Sequence, residues 1–178
     1  MKEVRLLAVL VLACVAAWPA GAAQTVHCTV VGAVQGPIQG DSDILSMGRE
    51  NTIQAYDFHH LVTAPPGGGT QHENIIISKR MDRATVKLWT ALDTRESMSW
   101  TCRFYRPDPN GGGTTEQFYT ITLGNARIVA MEPIVANTLD AATSAYSPME
   151  RVRLAYQTMN LVWTNGGIEH QMNVGTPP

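Results

Sequence analysis

Residues 97–105 (SMSWTCRFY) restrict the folds open to this chain more than any other stretch. Met98, Trp100, Cys102 and Phe104 alternate with Ser99, Thr101, Arg103 and Tyr105. Successive side chains of a strand point to opposite faces, so this period of two predicts a strand with one buried and one polar face. The segment Pro107-Asp108-Pro109-Asn110-Gly111-Gly112-Gly113 then ends it, since proline lacks a ladder N–H and glycine supplies turn geometry. A strand-like run over 117–123 follows, which predicts a long antiparallel hairpin.

The same grammar recurs along the chain. Residues 25–34, 52–62, 73–78, 127–131, 151–163 and 167–174 are rich in Val, Ile, Thr and aromatic residues and read as strands. Pro65-Pro66-Gly67-Gly68-Gly69 is a loop, and Gly124-Asn125 is a turn or a bulge. Asn165-Gly166-Gly167 makes the last hairpin, its Asn-Gly pair suiting the positive φ of a tight turn. Residues 137–147 are small and polar and read as a surface connection. One helix is predicted over 81–94, with Asp82 as N-cap and Met81, Ala84, Leu88, Ala91 and Leu92 at helical spacing. One helix among many strands predicts a mainly β fold, a closed or nearly closed barrel of antiparallel strands with the helix packed alongside.

The N-terminus follows other rules. Lys2 and Arg5 precede an unbroken apolar run over 6–17, Trp18-Pro19 breaks it, and Ala20-Gly21-Ala22-Ala23 follows. That order of charge, apolar run and small residues predicts a secretory signal peptide over residues 1–23, cleaved after Ala22 or Ala23. The run is well short of the ~20 residues that span a bilayer, so stable membrane insertion is not expected after its removal. A buried first helix would need a polar face that the run lacks, and a lipid anchor at Cys14 would need smaller residues before it than Val11-Leu12-Ala13. Residues 24–178 then form one domain of about 155 residues, enough to bury a sizeable core.

Loss of Lys2, Glu3 and Arg5 takes the formal charge from −2 to −3. A mildly acidic chain without a basic run is not expected to bind nucleic acid. Cys28 and Cys102 remain, and in an exported protein the pair forms one disulfide or stays as two buried thiols.

No motif for catalysis stands out. Neither triple-Gly stretch ends in the Gly-Lys-Ser/Thr of a phosphate loop, and there is no Gly-x-Ser-x-Gly elbow. His59 and His60 are neighbours on a strand and face opposite ways, and no His pair sits at helical ligand spacing. The expectation is a protein without catalytic residues, metal or cofactor.

Five ordered blocks carry a resemblance. They are GPIQGDS (36–42), IQAYDFHHLVTAP (53–65), HENIIISKRMDRATVKLWTAL (72–92), FYRPDPNGGGTTEQFYTITLGNARIVAMEP (104–133) and MERVRLAYQTMNLVW (149–163). Together they resemble the haemolysin-coregulated proteins, the Hcp family, over about residues 30–172. The resemblance implies a β-barrel with one flanking helix, a homohexameric ring, and rings stacked into the inner tube of type VI secretion systems. It implies no catalytic residues. The implied partners are further copies of the chain, the spike protein, the sheath and small effectors carried in the lumen. The segment 36–49, including Gly36, Gln39, Gly40, Asp41 and Ser42, corresponds to the family's long protruding loop and is expected to contact neighbouring subunits or rings. Family members lack an export signal and are assembled in the cytoplasm before release through type VI secretion. The run over 1–23 therefore raises an alternative, an exported barrel of the same fold acting as a periplasmic or extracellular binding or effector protein.

Overall fold

The alternating run forms the spine of the fold in the computed structural model, which describes residues 24–111 and 113–175. In chain order the elements are β1 (Thr25–Gly32), β2 (Gly36–Ile38), β3 (Ile53–His59), β4 (Val62–Thr63), β5 (Gln71–His72), β6 (Ile75–Arg80), α1 (Ala84–Asp93), β7 (Met98–Pro107), β8 (Thr115–Ile134), β9 (Met149–Ala155), β10 (Thr158–Trp163) and β11 (Ile168–Asn173). A 3-10 turn at Ser46–Gly48 lies between β2 and β3.

The sheet closes on itself. β8, β7, β1, β3, β6 and β9 are neighbours in that order, and β9 pairs back onto β8. This is an antiparallel barrel, and closure removes the edges that an open sheet leaves unpaired. β8 makes closure possible because its 20 residues serve two partners. Its first half pairs with β7 and β10, and its second half, from Arg127, pairs with β9. The two separate strands expected over 117–123 and 127–131 are therefore one strand. Gly124-Asn125 is a bulge within it: Met98 opposes Ala126 while Trp100 opposes Leu123, which puts one extra residue on β8. Asn125 takes up the strain at φ 49°, and the bulge redirects the strand from one partner to the other.

Other expectations also change. The strand read over 151–163 is two, because the chain leaves the ladder at Tyr156-Gln157 and β10 turns to pair with β8 and β11. The last hairpin has a four-residue loop, 164–167, and its positive φ values fall on Gly166 and Gly167 rather than on Asn165. The helix begins at Ala84, with Arg83 in the capping position. Asp82 still does the work expected of it, since its Oδ1 accepts the Ala84 N–H at 3.0 Å while Thr85 Oγ1 accepts the Asp82 N–H at 3.0 Å.

Period-two parity sets the core. Cys28 and Val30 of β1, Ile75 and Ile77 of β6, Met98, Trp100 and Cys102 of β7, and Val152 and Leu154 of β9 all point inward. Ala84, Leu88 and Ala91 of α1 join the same core. Leu88 is completely buried, and burying a leucine contributes about 2 kcal/mol. The helix lies against β8 and β2, with Val86 and Trp89 on its outer face.

Candidate self-association surface

The segment from Gly36 to Thr52 is more closely held than a protruding loop. Gly36-Pro37-Ile38 is not loop at all: it is β2, paired with Val30, Val31 and Gly32 of β1. Gln39 and Asp41 are exposed, Ser42 is half-buried and Gly40 is buried. The two ends of the loop are bound together, Gly40 N–H to Asn51 O at 2.9 Å, Asn51 N–H to Ser42 O at 2.8 Å and Ser42 N–H to Thr52 O at 3.3 Å. Gly40 is required by this closeness, because a Cβ there would lie 2.7 Å from Ile53 Cα and 2.8 Å from Ile53 N. Arg83, just before α1, clamps the same place. Its Nε donates to Gly40 O at 2.6 Å, its NH2 to Asn51 Oδ1 at 2.5 Å, and it pairs with Asp41 at 3.2 Å.

Beyond the clamp the loop covers the outer face of β1 and β7. Tyr105 donates from its hydroxyl to Met47 O at 3.0 Å, and the Arg49 guanidinium lies 4.9 Å over the Tyr105 ring. Thr52 Oγ1 donates to Arg49 O at 2.5 Å and therefore accepts from His27 Nδ1 at 2.8 Å. That fixes the proton of neutral His27 on Nδ1 and leaves Nε2 without a partner. Burial, then the nearby Arg49 charge, lowers the His27 pKa from 6.5 to about 4. The tip remains outside, with Asp43, Leu45, Met47 and Glu50 exposed.

Three polar groups hold the scaffold together. Lys79 and Glu150 are directly opposed on β6 and β9, and both are fully buried. Lys79 Nζ donates to Glu150 Oε1 at 2.6 Å, to Asp82 Oδ1 at 2.7 Å and to Arg80 O at 2.7 Å, which uses all three ammonium protons. The network ties the barrel to the first turn of α1. Glu96, after α1, accepts Val34 N–H at 2.6 Å and Gln35 N–H at 2.8 Å on Oε1, and Gln35 Nε2 at 2.8 Å on Oε2. Burial works to raise its pKa, but the bonds from Gln35 and Val34 outweigh it and the pKa is lowered. Tyr156 hydroxyl lies 2.6 Å from His60 Nε2 and 3.1 Å from His72 Nδ1. With one phenolic proton it donates to one ring and accepts from the other. Burial pushes the Tyr156 pKa to about 12, and burial together with His72 lowers that of His60. These contacts fasten the β4–β5 ribbon to the barrel.

Cys28 and Cys102 are directly opposed on β1 and β7, with Cα atoms 4.0 Å apart, and are joined as a disulfide. Ala22 and Ala23 lie outside the described residues. Among the described residues no group of three His, Cys, Asp or Glu side chains is placed to hold a metal ion, and no helix is long and apolar enough to cross a membrane.

Comparison with known proteins adds the following. The family model described as type VI secretion system effector, Hcp, matches residues 30–163. The major exported protein of Pseudomonas aeruginosa is 28% identical over 126 residues, covering 66% of this chain and 71% of its own length. A crystal structure of an Hcp protein superposes with a TM-score of 0.77 at 21% identity, covering 86% of this chain and 99% of that one. The secreted protein Hcp3 from Pseudomonas aeruginosa gives 0.71 at 22% identity, covering 86% of this chain and 100% of its own. Hcp1 from the E. coli EAEC 042 pathovar gives 0.72 at 19% identity, covering 86% and 100%.

Proposed function

The chain belongs to the type VI secretion system Hcp family, and from that premise we propose that it is a structural subunit that closes into homohexameric rings and stacks into a secretion tube. The match of the family model across residues 30–163 carries this reading. The closed barrel supports it, since a rigid subunit with its own core is what a stacked assembly needs. In this reading the protein works by geometry rather than catalysis. Its partners are its own copies, then the spike, the sheath and small effectors in the lumen. The loop residues Gln39, Gly40, Asp41 and Ser42 position the tip that meets a neighbour, and Gly36 serves β2. Sedimentation and electron microscopy of residues 24–178 at micromolar concentration test the reading. Hexameric rings are expected, and a monomer at every concentration would refute it.

A second reading is favoured by two observations. The charged, apolar and small-residue order of residues 1–23 and the pairing of Cys28 with Cys102 both suit a chain folded outside the cytoplasm. In that reading the same barrel is exported and acts as a periplasmic or extracellular binding or effector protein. Mass spectrometry of the N-terminal peptide in separated cell fractions tests it. A start at Ala23 or Gln24 in the periplasm is expected, and an uncleaved chain found in the cytosol alone would refute it.

A further inference from the structure

Two asparagines of the chain precede a glycine, Asn110 before Gly111 and Asn165 before Gly166. The pairing matters chemically, because a backbone nitrogen can attack the side-chain amide of the residue before it. A side chain on the attacking residue shields that nitrogen, and glycine has none. Both pairs lie exposed at hairpin ends, Asn110 between β7 and β8 and Asn165 between β10 and β11. By sequence the two are equals.

The fold separates them. At the first site the chain is pinned around Asp108. Gly111 N–H donates to Asp108 O at 3.0 Å, Asn110 N–H to Asp108 Oδ1 at 2.8 Å, and Asp108 N–H to Thr114 O at 2.9 Å. The nitrogen that would attack is already committed to a bond. At the second site Gly166 N–H has no hydrogen-bond acceptor among the described residues. Gly166 and Gly167 stand at φ 99° and 63°, so the nitrogen lies in a stretch that only residues without side chains enter easily. The Asn165 amide is held by a single long contact, Nδ2 to Glu116 Oε2 at 3.4 Å.

We propose that Asn165 is a site of spontaneous deamidation, and that its conversion loosens the β10–β11 hairpin while the barrel stays closed. The Gly166 nitrogen attacks Cγ of Asn165. An N–Cγ bond forms, the Cγ–Nδ2 bond breaks, and Nδ2 leaves as ammonia with the proton from Gly166 N–H. Water then opens the succinimide ring at either carbonyl, giving aspartate or isoaspartate. Water is the one co-reactant, and nothing is oxidised or reduced.

Both products put a carboxylate where the amide donated to Glu116. Glu116 Oε1 already accepts from Arg106 Nε at 2.6 Å, and that guanidinium lies over the Phe118 and Trp163 rings at 4.7 and 5.4 Å. A second carboxylate repels Glu116 beside the point where β10 ends. Isoaspartate also adds a carbon to the main chain of the four-residue loop that sets Trp163 opposite Ile168. β11 has β10 as its one strand neighbour, so it is the element that loses its hold. Closure between β8 and β9 does not involve this hairpin. The inference is independent of self-assembly.

Peptide mapping by mass spectrometry tests it. The folded protein is aged at mildly alkaline pH, and conversion of Asn165 and Asn110 is followed in the same sample. Asn165 should convert roughly fivefold faster, the factor that one net hydrogen bond at Gly111 is worth. In urea-unfolded chain the two rates should converge. Equal rates in the folded protein, or faster conversion at Asn110, would overturn the assignment. Amide exchange reads the consequence. Exchange over residues 168–173 should rise in the aged protein and in Asn165→Asp, which carries the charge without the altered main chain, while β6 and β9 stay unchanged. Aged protein converted at Asn165 with unaltered exchange over 168–173 would overturn the loosening.

Discussion

Replacing Lys79 by methionine isolates the most consequential polar contact in the barrel. Methionine keeps the length and apolar stem of the side chain but removes the ammonium. Glu150 would then stand in the interior at 0% exposure, with Thr85 Oγ1 at 2.9 Å as its remaining partner on Oε1 and none on Oε2. Breaking a buried pair from one side costs about 3–5 kcal/mol, because the other charge stays buried without compensation. For a domain of this size that lowers Tm by about 6–20 °C. Removing both charges in Lys79→Met/Glu150→Leu should recover most of the loss, since apolar packing of similar volume commonly equals or exceeds a buried ion pair. The assay is a double-mutant cycle from urea unfolding at pH 7 and fixed protein concentration, because assembly shifts apparent stability. The reasoning fails if Lys79→Met lies within about 1 kcal/mol of wild type, or if the double variant is no more stable than Lys79→Met alone.

Three further outcomes follow from the same structure. Thiol titration of the unfolded, unreduced domain should find no free thiol at Cys28 or Cys102; breaking this link across 74 residues should cost up to about 4 kcal/mol, and two free thiols would refute the pairing. Gly40→Ala should cost about 1–3 kcal/mol by forcing a Cβ against the Ile53 backbone, and should raise amide exchange across the loop; unchanged exchange would refute the close approach. His27 is neutral in the fold with its pKa lowered from 6.5 to about 4, so its contribution is complete above 6.5 and is lost as pH falls toward 4, about 3 kcal/mol in all; an NMR titration midpoint near 6.5 would refute the burial argument.

Much of the barrel is legible in parity alone. Met98, Trp100 and Cys102 alternate with polar residues and are buried as parity expects, whereas Phe104 is only partly buried and Tyr105, past a register shift, is buried in its place. The same rule, carried two residues past Ile75 and Ile77, puts Lys79 on the buried face, and Glu150 shares its parity with Val152 and Leu154. A lysine and a glutamate at core parity are a signal for a buried pair, and the signal was there to be used. What parity does not give is register, because sliding a strand by two residues keeps every face and changes every partner. That is why the cysteines could be placed in strands while their direct opposition could not. The bulge at Gly124-Asn125 was equally open, since a turn and a bulge use the same residues. The loop's hold on the barrel is not legible in the sequence because its anchors are distant: Arg83 reaches back 43 residues to Gly40, and Tyr105 reaches 58 to Met47.

The redox state of the barrel bears on where its assembly can begin. Cys28 and Cys102 sit at 0% and 1% exposure between β1 and β7, in the middle of the closed sheet. A thiol pair at that depth reacts with an oxidant only before the barrel closes or while it is open. Cytoplasm keeps such thiols reduced, so a ring built there from closed barrels would carry them reduced into the tube. A chain passed unfolded through a membrane meets the oxidant first and closes around a finished bond. A fully oxidised native population therefore places folding outside the cytoplasm and makes any assembly a later event among exported subunits. A reduced population places both folding and assembly inside.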